Sequence, residues 1–204
     1  MTTASPTVSR ATRSEADIVG ATLADAFRDD PVFEFLVPAD AKGREVRLVT
    51  FFTSMARTYL RRDKHVYVGG EGRGAALWSP PGSWRLPPSE IVRETPASIK
   101  AFGRGLPKAL RLLTQVEGLH PKEPHHWYLG YLGTRCDSQG QGVGSAMLRE
   151  VLAQADDTRM PAYLESSNER NLTLYERHGF RVVEEIKALG TGPSIWRMWR
   201  DPQS

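Results

Sequence analysis

The chain has 204 residues, 40% of them hydrophobic and 25% charged, with a formal net charge of +3. That length suits a single domain, 1–204 with an ordered core over about 6–200, able to bury a core of its own. Its basic residues are scattered rather than interleaved with aromatics, which argues against nucleic acid as a partner, and no apolar run of about eighteen residues exists to span a membrane. The lone Cys136 leaves neither an intrachain disulfide nor a cysteine-based metal site. Met1 to Pro6 lacks the apolar centre of a signal peptide, so a cytoplasmic protein is expected.

In chain order, Val8 to Ala11 reads as a short strand, and Thr12 or Ser14 caps a helix whose apolar face is Ile18, Ala21, Ala24 and Phe27. Asp29-Asp30-Pro31 ends it, because the residue before a proline avoids helical geometry. A short segment follows from Val32 to Val37. Asp40 is then placed to cap a longer helix carrying Leu48, Phe51, Phe52, Met55 and Leu60. His65 to Val68 and Gly74 to Trp78 alternate as strands around the turn Gly69-Gly70-Glu71-Gly72. Leu86 to Leu119 is helical in two pieces, the second with a stripe of Leu106, Ala109, Leu110, Leu112, Leu113 and Val116 that reads as buried.

The second half is more informative. Trp127 to Thr134 and Ala162 to Ser166 are strand-like, Glu169 to His178 is a short helix capped by Gly179, and Phe180 to Glu185 and Ser194 to Trp199 are the last strands. The organising stretch is Gln139-Gly140-Gln141-Gly142-Val143-Gly144-Ser145. A helix follows it, with its apolar stripe at Val143, Met147, Leu148, Val151, Leu152 and Ala155. Alternating glycines before a helix let several amides converge on one point, and the helix dipole adds positive potential there, which suits phosphate. The spacing is neither that of a P-loop, since no lysine follows, nor that of a dinucleotide fingerprint. A loop whose glycines serve turn geometry alone is the bland alternative.

Two segments carry a family resemblance. Tyr131 to Thr134 with Gln139 to Leu148 resembles the acetyl-CoA-binding motif of the GNAT N-acetyltransferases, and Asn168 to Phe180, ending in Leu174-Tyr175-Glu176-Arg177-His178-Gly179-Phe180, resembles their later motif. His120 to Pro124, Tyr163 to Ser167 and Ala76 to Trp78 look like the puromycin N-acetyltransferase-like members. The resemblance implies an α+β fold. Its central mixed, mostly antiparallel twisted sheet of six to seven strands is flanked by helices and splayed at the middle to hold acetyl-CoA. It also implies direct acetyl transfer to a primary amine, and dimers are frequent in the family.

As the resemblance implies, the amides of Gln139, Gly140, Gln141, Gly142, Val143, Gly144 and Ser145 hold the pyrophosphate. The backbone of Leu132, Gly133 and Thr134 receives the pantetheine arm, Asn168 and Asn171 contact it, and Tyr175 is the general acid. Asn168 also suits a helix N-cap. The base that some members carry on this strand falls at Tyr128 and Gly130 here, so it is missing. Glu165, on the strand before the second motif, is the candidate to take the proton of the acceptor amine or to pair with it as a cation. His125 and His126 read as surface histidines, and no metal site is expected. Asp30, Phe33, Glu34, Trp78 and Trp127, with Asp25, Asp29, Phe35 and Trp84 beside them, form the candidate cleft for a small-molecule, cationic amine. Two alternatives stay open: acetylation of a protein N-terminus or lysine, and a non-catalytic acyl-CoA-binding module.

Overall fold

The computed structural model describes residues 6–203; the first five residues of the Met1–Pro6 segment read above lie outside it. Seven strands form one sheet in the order β1-β2-β3-β4-β5-β7-β6, with β1 Val8–Arg10, β2 His65–Gly69, β3 Gly74–Ser79, β4 Trp127–Thr134, β5 Ala162–Ser166, β6 Arg181–Lys187 and β7 Ser194–Arg200. Every pairing is antiparallel except β4 with β5. The helices are α1 Ala16–Ala26, α2 Pro31–Leu36, α3 Arg44–Arg61, α4 Pro88–Phe102, α5 Leu106–Leu119, α6 Val143–Asp157 and α7 Leu172–Glu176.

Both faces of the sheet are covered, so its central strands are buried on both sides. On one face α6 inserts Val143, Met147, Leu148, Val151 and Leu152 against Tyr67, Ala76, Trp78, Trp127, Leu129 and Leu164. On the other, α1 and α3 pack Leu23, Phe52, Ala56 and Tyr59 against Val66, Val68, Ala75 and Leu77. Asp40 does not start α3. The N-cap is Gly43, at φ +67°, a left-handed position that costs glycine nothing.

The parallel pair is short. β4 and β5 are joined only from Trp127 to Leu129 against Ala162 to Leu164. Beyond that β4 runs on to Thr134 bonded to β3 alone, while Glu165 and Ser166 are bonded to β7 alone. The two central strands therefore part in the middle of the sheet, and each presents an unpaired backbone edge to the gap.

A bulge lies beside the gap. Leu77 faces Tyr131 and Trp78 faces Leu129, so Gly130 has no partner residue. Its extra residue reverses the alternation along β4: Leu129 packs toward α6, yet Tyr131 packs toward α1 and α3. A Cβ on Gly130 would lie 2.5 Å from the Tyr59 hydroxyl, so the bulge needs glycine.

Gly133 is under the same pressure. A Cβ there would sit 2.6 Å from the Ala26 Cβ and 3.2 Å from Leu23, because α1 crosses the strand at this point. Gly133→Ala is therefore expected to destabilise the protein by about 1–3 kcal/mol, the usual cost of overpacking a tight contact. Urea unfolding followed by circular dichroism measures this directly, and an unchanged midpoint would show that α1 yields.

Candidate active site

The glycine loop reaches α6 in a conformation that suits an anion. Gly140 and Gly142 have φ of +76° and +80°, and no atom lies within 4 Å of a Cβ built on either. The first intrahelical bond runs from the Ala146 amide to the Gly142 carbonyl at 3.0 Å. The amides of Val143, Gly144 and Ser145 thus have no acceptor within the helix. Gln139 to Gly142 are exposed, so the cradle is open to a ligand. Both glycines adopt left-handed geometry beside open space, so their need is conformational and points to a fixed loop shape. The loop is anchored by Asp25, whose carboxylate accepts from the Cys136 amide at 2.8 Å.

The second motif sits against the first. Ser145 Oγ and His178 Nε2 are 3.0 Å apart, and a Cβ on Gly144 would lie 3.6 Å from Leu174 and 3.7 Å from Thr134. Asn168 caps the turn before α7, accepting from the Arg170 amide at 3.1 Å. Asn171 is exposed and borders the central cavity. Leu132 and Thr134 are half-buried and Gly133 is buried, all on the freed edge of β4.

A cavity of about 390 Å³ opens where β4 and β5 part. Tyr175 and Glu165 both line it. Tyr175 is 6% exposed, and among the described residues its hydroxyl has no hydrogen-bond partner. Burial first, and the nearby Asp30 carboxylate second, push its phenol well above the ordinary range, so it stays protonated at neutral pH. Glu165 Oε1 is buried without a hydrogen bond and lies 3.6 Å from His120 Nδ1. Around this carboxylate Tyr59 is pushed up to about 12 and Tyr128, Tyr131 and Tyr163 are raised as well, mainly by burial with a contribution from Glu165. The neighbouring phenols are thus neutral; Tyr128 and Tyr163 hydrogen-bond the Glu165 carboxylate without cancelling its charge, and Oε1 itself has no partner.

The residues expected in an acceptor cleft divide. Phe33 borders the cavity, as does Trp84, which stacks on His120 with ring centres 3.8 Å apart. Trp78 and Trp127 do not. They are 0% and 7% exposed in the core beneath α6, because β3 and the start of β4 turn that side away from the cavity. Asp30 is buried as the N-cap of α2, accepting from the amides of Val32 and Phe33, and it also receives the Ser167 hydroxyl. Glu34 and Asp29 are exposed and outside the lining.

Two expectations are corrected. His126 is 3% exposed rather than on the surface, with Nδ1 2.8 Å from the Pro124 carbonyl and Nε2 3.0 Å from His120 Nε2. His125 is exposed as expected. The apolar stripe of α5 is covered only in part: Leu112 is 5% exposed in a core cluster with Ala188 and Ile195, whereas Leu110 and Leu113 are 49% and 51% exposed and line the cavity. His120, the C-cap of α5, is buried beside Glu165. The only sequence sign was its place directly after that apolar stripe.

Residues 103–180 match the family model of the acetyltransferase (GNAT) family. An uncharacterized N-acetyltransferase of Schizosaccharomyces pombe is 29% identical over 180 residues, covering 81% of this chain and 70% of that protein. Among solved structures, one described as histone acetyltransferase HPA2 and related acetyltransferase from Corynebacterium glutamicum is 28% identical with a TM-score of 0.73, covering 98% of each chain. The polyamine N-acetyltransferase of Drosophila melanogaster shares the fold at 13% identity and a TM-score of 0.68, over 96% of this chain and 99% of that one. The family match spans the glycine loop and the Tyr175 segment, which the fold brings together at the parting of β4 and β5, and over residues 103–180 this chain is similar to the acetyltransferase (GNAT) family.

Proposed function

We propose that this acetyltransferase moves the acetyl group of acetyl-CoA directly to the primary amine of an apolar small molecule. What carries the reading is one cavity that holds both Tyr175 and Glu165 and is otherwise walled largely by apolar side chains such as Leu86, Ile91, Leu110, Leu113 and Val116. With Glu94 taken by Arg61, a polyamine would have only Glu117 to meet its second cation, and anywhere else along these walls that cation would be desolvated at a cost of several kcal/mol. A ring or alkyl chain bearing a single amine fits them better.

Acetyl-CoA, when bound, supplies an activated thioester. The free amides from Gln139 to Ser145 suit its pyrophosphate, and the open edge of β4 at Leu132 to Thr134 suits the amide-bearing arm. Glu165 takes one proton from the incoming ammonium, leaving the nitrogen its lone pair for attack. The Tyr175 hydroxyl donates toward the departing sulfur, and the proton it gives is replaced by the second one lost from the attacking nitrogen. The net release is one proton to solvent.

The likeness to the Corynebacterium glutamicum histone acetyltransferase HPA2 structure favours a protein lysine as the second reading. Thiol release from acetyl-CoA separates the two. Arylalkyl and alkyl amines are expected to support kcat/KM at least about tenfold above that of polyamines or a lysine peptide, a difference of about 1.4 kcal/mol. The reverse order would reject the small-molecule reading.

A further inference from the structure

We propose that His120, with its tautomer fixed by His126, forms with Glu165 a vacant proton slot that neutralises the docked ammonium; this rests on the acetyl-transfer reading above. The argument is a count of protons. The Pro124 carbonyl can only accept, so the nitrogen 2.8 Å away, His126 Nδ1, carries hydrogen. Burial holds His126 below the ordinary histidine range, so at neutral pH its Nε2 is a bare acceptor. That nitrogen lies 3.0 Å from His120 Nε2, which must then be the donor. On this proposal the one hydrogen of the His120 ring is that on Nε2, which leaves Nδ1 bare, and Nδ1 is the atom that faces Glu165 Oε1 at 3.6 Å.

Two acceptors therefore oppose each other at a distance too long for a hydrogen bond, and Glu165 Oε1 has no donor of its own among the described residues. The rest of the surroundings does not fill the place. Tyr59, Tyr128, Tyr131 and Tyr163 are neutral phenols around Glu165. Arg197 is engaged by the Tyr163 hydroxyl at 3.0 Å and by the Leu119 carbonyl, and Lys64 Nζ by Ser79 Oγ at 2.9 Å and the Trp84 carbonyl at 3.4 Å. Glu94 is bound by Arg61, Ser54 and Thr58, while Glu117 borders the cavity farther along α5. His125 is exposed, and Trp84 covers the flat face of His120. The pair thus keeps one uncompensated negative charge at the cavity wall.

An ammonium reaching the cavity supplies the missing proton. One N–H bond of the ammonium breaks, its electron pair stays on nitrogen, and the proton enters the contact between Oε1 and Nδ1. Water in the vacated cavity takes it when the product leaves. On this account His120 and His126 are positioning residues that keep the Glu165 side of the contact open to a proton, since a His120 with hydrogen on Nδ1 would already fill the slot.

The test compares the wild type with His120→Phe, which keeps an aromatic ring against Trp84, and His126→Phe, across amines of graded basicity at pH 7. For amines with a pKa of about 10, kcat/KM should fall about 30-fold or more, approaching the roughly 100-fold loss expected for removing the general base itself. For amines with a pKa near or below about 7, which arrive neutral, the loss should shrink to within about threefold. An equal loss across the series would overturn the proposal and mark the histidines as packing groups. Nitrogen-15 NMR of the ligand-free wild type reads the tautomer without any variant having to fold: hydrogen on His120 Nε2 and none on Nδ1 is expected, and hydrogen on Nδ1 would overturn it. A wild type that acetylates no amine would reject the acetyl-transfer reading while leaving the NMR result to decide the tautomer.

Discussion

Tyr175→Phe is expected to lower turnover by about tenfold or more while the affinity for acetyl-CoA stays within about twofold, since a hydrogen bond to a charged group contributes about 1.5–3 kcal/mol. The substitution is structurally conservative. The ring keeps its edge contact with Phe180, 6.1 Å away at 72°, and the hydroxyl has no hydrogen-bond partner to lose among the described residues. The chemistry of the lost group sets the size of the effect. An ordinary thiol has a pKa of about 8.5 and an ordinary phenol about 10, so proton transfer from Tyr175 to a thiolate is uphill by about 2 kcal/mol before burial is considered. Burial and Asp30 widen that gap. In the proposed mechanism Tyr175 therefore acts as a hydrogen-bond donor to sulfur as negative charge develops, passing its proton only as another arrives from the attacking nitrogen. Steady-state kinetics with titration calorimetry checks both halves, and unchanged turnover would remove Tyr175 from the mechanism.

How much of this was legible in the sequence follows the physics of each signal. The bounds of β4 and the start of α6 could be read because alternating and 3.6-residue apolar patterns have only one regular interpretation there. The two motifs fixed the positions of the glycine loop and Tyr175, and Ser145 with His178 shows how the fold joins them. Side-chain direction was less accessible. The bulge at Gly130 reverses the parity of β4, so a strict alternation places Tyr131 on the wrong face of the sheet. Trp78 and Trp127 were misread for a related reason: an aromatic on a strand buried on both faces gives no sign of which face it takes. The α5 stripe shows another limit. A helix face left for a ligand has the same period as one covered by protein, so Leu110 and Leu113 read as core although each is about half exposed. Asp40 and Gly43 were equally good caps by composition, and the left-handed start of α3 selected the glycine. His120 and His126 lie on either side of a proline-rich loop, and only the closure of that loop brings their rings to 5.1 Å.

Glu165→Gln should separate function from stability at the same site. Against an amine with a pKa of about 10, kcat/KM at pH 7 is expected to fall about 100-fold, the lower part of the range for removing a general base. The thermal midpoint, by contrast, should hold or rise. The carboxylate is nearly buried, its Oε1 has no donor, and its closest charged-capable neighbour is His120 at 3.6 Å. Folding must strip water from that charge without providing a full hydrogen-bond shell, a cost that glutamine avoids at almost the same volume. Retaining such a group at a net cost to stability is what a site shaped by catalysis looks like. The opposite pattern would follow if Glu165 served mainly as the ion-pair partner of His120: removing one member of a buried pair costs about 3–5 kcal/mol, which would lower the midpoint by several degrees. Scanning calorimetry on the variant, run beside its kinetics, therefore tells a base from a structural anchor. Lost activity with a retained midpoint identifies the base, and a collapsed midpoint identifies the anchor.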